Sequence, residues 1–135
     1  MIKIELKTTR RSELVEITEL VARGLASPPF SGLCLVYVPH TTAGVIINEN
    51  ADPSVRLDIE CFLDRLVPRG GSWRHLEGNS DSHVKASLVG SSVLVAVEKG
   101  RVNLGTWQGI FFCEFDGPRH REVWLGPLTG ETAKA

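Results

Sequence analysis

Ile2, Ile4 and Leu6 alternate with Lys3, Glu5 and Lys7, which predicts a strand over 2–9 with one wet face. Ser12 is placed to cap a helix running to about Arg23, with Leu14, Ile17, Val21 and Leu25 at helical spacing. Ser27-Pro28-Pro29 ends that helix, because proline cannot continue the hydrogen-bond ladder. Leu33 to Val38 and Ala43 to Ile47 are short apolar strands, the first stopped by Pro39. Asp52-Pro53 reads as N-cap and first helical residue. The helix it starts carries Val55, Ile59, Phe62, Leu63 and Leu66 on one stripe until Pro68. Residues 68–82, rich in glycine, serine and asparagine, read as a long loop, followed by a short helix from about His83 to Leu88 stopped at Gly90. Strand-like runs over 93–97, 102–104, 109–115 and 122–125 complete the pattern, with turn signals at Lys99-Gly100 and Asp116-Gly117-Pro118.

Together these give one α+β domain over 1–135, with about seven strands and two main helices. The runs at 33–38, 45–47 and 93–97 lack alternation, so both faces of those strands need cover. Two helices cannot supply it. The expected solution is a sandwich-like packing of mixed or antiparallel sheets, with a second subunit over the remaining face.

Composition narrows the class. Of 135 residues, 42% are hydrophobic and 23% charged, which excludes a disordered or low-complexity chain. Fifteen basic residues against sixteen acidic ones leave a net charge of −1, so neither a nucleic acid nor an anionic membrane surface is an expected partner. No apolar run approaches the ~20 residues that cross a bilayer, and the alternating start lacks the apolar stretch of a signal peptide. Cys34, Cys61 and Cys113 are odd in number and widely spaced, and read as structural thiols. A cytoplasmic protein is the expectation.

Three polar stretches interrupt the apolar pattern: His40-Thr41-Thr42, Asn48 to Asp52, and His75 to His83. Turn chemistry accounts for the last two taken alone. Three of only four histidines fall in these stretches, however, and three imidazoles near carboxylates are the ingredients of an open metal site. Two helix N-termini, at Asp52 and His83, suit an anion, and Lys85, which opposes the dipole of the second, is either an ordinary solvated lysine or there for a ligand. Trp107 and Gln108, in a glycine-bounded bend, either stack on and hydrogen-bond a heteroaromatic ring or plug a core edge. Glu114 is either on the wet face of an edge strand or a buried functional carboxylate, and His120, between two arginines, reads as an exposed strand residue.

The strings PHTTAGVIINENADPSVRLDIECFLDRLVP, RHLEGNSDSHVKASLVGSS and GRVNLGTWQGIFFCEFDGPR closely resemble the YjbQ-type family, often labelled secondary thiamine-phosphate synthase. The resemblance covers nearly the whole chain. It implies a compact α+β homotrimer with sites near subunit boundaries, and metal-binding histidines at His40, His75 and His83. Glu49 and Asn50 match its Asn-Glu-Asn element, Asn79 and Asp81 its His-x-Glu-Gly-Asn-Ser-Asp-x-His element, and Trp107 and Gln108 its Gly-Thr-Trp-Gln element. The label implies joining a pyrimidine pyrophosphate to a thiazole phosphate with release of pyrophosphate, as a weak side activity where the family's own reaction is another. On this reading a divalent metal, zinc ahead of magnesium, assists the transfer, Glu49 or Asp81 handles a proton, and Asn50, Asn79, Lys85, Trp107 and Gln108 hold a small phosphorylated heterocycle. The rival expectations are a non-catalytic trimer that binds a metal or small anionic metabolite, and a metal-dependent phosphoester hydrolase.

Overall fold

The computed structural model describes residues 1–129. Eleven elements follow in order: β1 (Ile2–Lys7), β2 (Glu13–Glu16), α1 (Thr18–Leu25), β3 (Gly32–Tyr37), β4 (Ala43–Glu49) and α2 (Pro53–Leu66). Then come α3 (Ser80–Val89), β5 (Ser92–Glu98), β6 (Arg101–Asn103), β7 (Gln108–Glu114) and β8 (His120–Leu128). The strands form two sheets, one five-stranded in the order β1-β8-β3-β5-β6 and one three-stranded in the order β2-β7-β4. Every pairing is antiparallel, which resolves the expected mixed or antiparallel choice.

The layers follow from strand parity. Cys34, Val36, Val95, Val97, Val123 and Leu125 point inward from the large sheet and meet Ala43, Val45, Ile110 and Phe112 of the small one. Ile17, Val21 and Leu25 from α1 and its lead-in complete that core. On the opposite face of β7, Phe111, Cys113 and Phe115 form a second cluster with Leu14, Ala86 and the half-buried Ile59, Leu63 and Val89, so α2 and α3 cover the small sheet. β7 is therefore buried on both faces. Among the described residues the outer face of the large sheet lacks such cover, and Leu33, Leu94 and Leu128 are exposed there.

Two expectations are corrected. The helix expected over 12–23 is a strand followed by a helix: Glu13–Glu16 pairs with β7, and α1 starts only at Thr18. Leu14 belongs to the α2–α3 layer while Ile17, Val21 and Leu25 belong to the inter-sheet core, so one apparent helical stripe joined residues of two layers. The short helix expected from His83 to Leu88 begins at Ser80 and runs to Val89, which shortens the loop by one turn. The second helix matches expectation: the Asp52 side chain accepts from the Ser54 N–H at 2.9 Å, with Pro53 in the first turn. Cys34, Cys61 and Cys113 are free thiols, with Cys61 exposed. Among the described residues no helix is long and apolar enough to cross a membrane.

Two contacts fix the end of the sandwich where the histidines lie. Gly44 lets the end of α3 touch β4: a Cβ there would stand 2.5 Å from the Gly90 carbonyl oxygen, to which the Val45 N–H donates at 3.1 Å. The other contact is ionic. Glu114, on the inward parity of β7, is fully buried against Arg121, on the inward parity of β8. Thr8 Oγ1 donates to Glu114 at 2.6 Å, and the Phe115 and Asp116 N–H groups each donate at 3.1 Å. Arg121 also donates to Thr42 Oγ1 at 2.9 Å. Burial alone would raise the Glu114 pKa, but Arg121, Thr8 and the Asp116 amide outweigh it and hold the carboxyl below its ordinary 4.5.

A depressed carboxyl contributes stability that is present above the unfolded pKa and is lost as pH falls through the folded one. Glu114→Gln should therefore lower the stability measured by urea unfolding at pH 7 by about 3–5 kcal/mol, since it leaves a buried guanidinium without its counter-charge. The gap to wild type should narrow as pH drops below 4.5. Equal unfolding midpoints at pH 7 would show that the pair carries no net stability.

Candidate functional site

Two loops and one helix start converge at the end of the sandwich that Glu114 and Arg121 clamp. His40 follows β3, beyond Pro39, where the Val38 N–H donates to the Ser91 carbonyl at 2.8 Å. The Glu122 N–H donates to His40 Nε2 at 2.9 Å, so the neutral ring carries its proton on Nδ1. Burial lowers the His40 pKa below 6.5, and the Arg121 charge lowers it further, against weaker opposing effects from Glu122 and Glu114.

His83 lies in the first turn of α3 and is the common wall of three clefts. One, of about 410 Å³, runs between His40 and the α3 residues His83, Ala86 and Ser87. A second, of about 380 Å³, is polar, and His40, Asn79, His83, Arg119 and Arg121 line it together with Glu77 and Asp116. The third, of about 510 Å³, opens on the other side of His83 toward His75 and Trp73. The His75 and His83 rings meet edge to face with centroids 5.5 Å apart.

Asn79 stands at the N-cap of α3 without capping it. Its side-chain amide donates instead to Asp116 Oδ2 at 2.8 Å, and Arg119 donates to the same oxygen at 3.0 Å. The Asn79 side chain thus caps none of the first turn of α3, whose Ser82 and His83 N–H groups donate to the Asn79 carbonyl at 3.0 and 3.3 Å.

Asp81 and Lys85 take structural positions behind this surface. Asp81 is fully buried, and Arg11 grips both its oxygens, Nη1 to Oδ2 at 3.0 Å and Nη2 to Oδ1 at 3.1 Å. Burial would raise its pKa, but the hydrogen bonds and charge of Arg11 outweigh that and lower it. Lys85 is 2% exposed and donates to Asp64 on α2 at 2.5 Å, with Asp81 at 3.8 Å. That answers why a lysine tolerates this end of the helix: carboxylates on both sides hold it. Neither residue lines the three clefts.

The remaining expected residues lie at the far end of β4. Glu49 pairs with Gln108, the Asn50 N–H donates to the Trp107 carbonyl at 2.9 Å, and Gln108 Oε1 accepts from the Gly105 N–H at 2.9 Å. Trp107 is 63% exposed, so it does not plug the core. β4 spans seven residues between the two groups, which separates them by about 20 Å in one chain. The fold thus gathers His40, His75, His83 and Asn79 at one end and Glu49, Asn50, Trp107 and Gln108 at the other.

Sequence reasoning left Glu114 open between the wet face of an edge strand and a buried carboxylate; it is buried on the central strand of the small sheet, and its partner Arg121 was missed. Glu114 and Arg121 share the inward parity of Ile110, Phe112, Val123 and Leu125, and opposite charges on two inward faces are a signal for a buried pair. Asp116 and Arg119 close the polar cleft from the turn that follows β7. His120 is exposed at the start of β8, as expected.

Comparison with known proteins adds relatives. The model of the family described as UPF0047 protein YjbQ-like matches residues 2–129. The chain is 52% identical over 126 residues to a UPF0047 protein of Methanocaldococcus jannaschii, covering 93% of this chain and 91% of that one. It is 49% identical over 128 residues to the UPF0047 protein YugU of Bacillus subtilis, covering 90% and 94%. Among solved structures, an uncharacterised conserved protein of the same family from Clostridium acetobutylicum superposes with a TM-score of 0.89 at 49% identity, covering 93% of this chain and 98% of that one. A conserved hypothetical protein from Thermus thermophilus superposes with a TM-score of 0.90 at 44% identity, covering 95% and 100%.

The His40 environment has a direct spectroscopic consequence. In a proton-detected NMR titration the His40 ring should titrate below 6.5, and a midpoint at or above that value would refute the burial described for it. Because its folded pKa is depressed, His40 opposes folding as pH falls below 6.5 and is neutral above it.

Proposed function

Because the chain belongs to the YjbQ-like UPF0047 family, we propose that it is a small metal-assisted transferase acting on phosphorylated heterocycles at the histidine end of the sandwich. The reaction proposed for it is the joining of a pyrimidine pyrophosphate to a thiazole phosphate, with release of pyrophosphate. The observation that carries the reading is the position of His83, between His40 and His75 and common to all three clefts.

The histidine geometry fits a divalent ion in part. Two imidazoles on one tetrahedral ion place their centroids roughly 5 Å apart, and His75 and His83 stand at 5.5 Å. His40 would join them only by giving up its Nδ1 proton and the Glu122 N–H bond to Nε2, because the neutral ring as held has no free lone pair. Among the described residues no three such side chains already stand close enough to hold an ion, so His40 must close on the pair. What a divalent ion supplies when bound is charge neutralisation at a leaving pyrophosphate.

The chain's own groups supply the rest. The uncapped first turn of α3 and the guanidinium of Arg119 at the polar cleft favour a phosphate. Neutral His40, protonated on Nδ1 at the same cleft, is suited to donate a hydrogen bond to a phosphate oxygen. Glu49, Asn50, Trp107 and Gln108 act in this reading only across a subunit boundary, since their own chain's histidines lie about 20 Å away along β4. A homotrimer is proposed on that ground and on the outer face of the large sheet. There Leu33 pairs with Ala96 and Leu128, and Leu35 with Leu94, in one apolar row.

Two experiments test this reading. Elemental analysis of the purified protein should find about one divalent ion per chain, zinc first, with retention at least roughly tenfold lower in His83→Ala. Pyrophosphate should be released only when both the pyrimidine pyrophosphate and the thiazole phosphate are present. Release from one phosphoester alone would establish a hydrolase, and tight binding without multiple turnover a binding protein. Full metal retention in His83→Ala would remove that residue from the ligand set. For the assembly, sedimentation should give three chains per particle, and Leu94→Arg should give single chains. An unchanged particle in that variant would remove the large sheet from the interface.

A further inference from the structure

The third cleft shares His75 and His83 with the metal reading, but its other walls are not accounted for by phosphate or metal chemistry. It encloses about 510 Å³, within the usual range of small-molecule sites, and is lined by Ser72, Trp73, Arg74, His75, His83 and Val84. Trp73 sits in the loop between α2 and α3, where a free indole would be expected to bury itself or swing in solvent. Instead it is fixed twice. Its Nε1 donates to the Arg69 carbonyl at 3.2 Å. Its ring lies against the bare Cα of Gly71, where an added Cβ would stand 3.0, 3.1 and 3.2 Å from Cε2, Cζ2 and Nε1. The indole is nonetheless 37% exposed, so a pinned aromatic plane faces open space beside the edge-to-face histidine pair. Val84 adds an apolar wall, and Arg74 a cation at the rim.

We infer that this cleft is the seat of a planar heteroaromatic ring, stacked on Trp73, whose phosphate reaches past His83 into the polar cleft lined by Asn79 and Arg119. The inference rests on the phosphorylated-heterocycle reading above and deepens it by naming the ring platform. It moves that role from Trp107, which stands at the other end of β4, to Trp73, which shares a cleft with two of the histidines. A pinned indole is already ordered before the ligand arrives, so stacking is not opposed by the entropy of fixing a loose side chain. Ring and phosphate would thus be held on opposite sides of His83, which places the bonds between them next to that imidazole.

The test uses the full chain and four probes in calorimetric titration: cytidine 5′-monophosphate, ribose 5-phosphate, inorganic phosphate and free cytosine. Wild type should bind the nucleotide roughly tenfold tighter than ribose 5-phosphate, the usual worth of one stacked base. Trp73→Leu should abolish that preference, Trp73→Phe should keep most of it, and Leu76→Ala, exposed in the same loop and outside the cleft lining, should leave it unchanged. The inference is overturned if the nucleotide and the sugar phosphate bind wild type equally, if the preference survives Trp73→Leu, or if Leu76→Ala abolishes it. Equal binding of both phosphates, displaced by inorganic phosphate, would overturn the platform and leave the phosphorylated-substrate reading standing. Binding of cytosine with no affinity for either phosphate would do the reverse. Binding of none of the four would overturn both.

Discussion

A charge pair between the two sheets holds the histidine end of this fold together. Glu114 on β7 and Arg121 on β8 face each other across the sandwich, where an unpaired charge would be untenable. The pair ties distant parts of the chain to one point. Thr8 enters from the end of β1, Thr42 from the approach to β4, and the turn after β7 donates two backbone N–H groups. Next to Arg121, the Glu122 N–H holds His40. The imidazole is thereby set by β8, from a residue 82 positions away in sequence, and its position inherits the rigidity of the clamp. A second ionic group, Arg11 with Asp81 and Lys85 with Asp64 and Asp81, fixes α3 against β2 and α2 in the same manner. His83 then projects from an anchored helix rather than from a loop.

The apolar strands and the second helix were legible because each rests on local chemistry. Runs such as Val93 to Val97 need burial on both faces, and Asp52-Pro53 caps a helix whatever surrounds it. The failures have a common physical source, which is that parity and spacing do not say which layer a side chain enters. Leu14 and Ile17 stand three apart and so mimic a helix, yet one packs beneath α3 and the other between the sheets. Asp81 looked like a site residue because carboxylates near histidines usually are, and its true partner, Arg11, lies 70 residues away on another element. Lys85 likewise looked misplaced against the helix dipole until Asp64 of α2 supplied its counter-charge.

Legibility of the site was of a different kind. Spacing within a motif identifies neighbours along the chain, while a strand carries its two ends apart by about 3.4 Å per residue. His40 and Glu49 fall in one continuous string, yet β4 lies between them and separates them across the sheet. His75 and His83 fall in another, and there the chain turns back into α3, so the two rings touch. Turns and helix starts thus convert sequence proximity into spatial proximity, and strands convert it into distance. Trp73 escaped notice for the same reason in reverse. It lies outside the polar stretches, and only the contact with Gly71 and the bond to Arg69 show that it is held in place beside the histidines.

The two ends of β4 and the bare outer face of the large sheet bear on each other. Two helices cover the small sheet, while among the described residues the row of Leu33, Leu94 and Leu128 on the large one stays exposed. Apolar cover from another copy would remove that row from water without lengthening the chain. Within one chain the Trp107 end and the histidine end of β4 stay about 20 Å apart and do not share one ligand. The pocket on Trp73 does not need a second copy, since its platform and both neighbouring histidines come from a single chain. Ring recognition and assembly are therefore separable: a variant that breaks the sheet-to-sheet contact should leave the indole seated on Gly71, because no residue of the large sheet touches that seat among those lining the cleft.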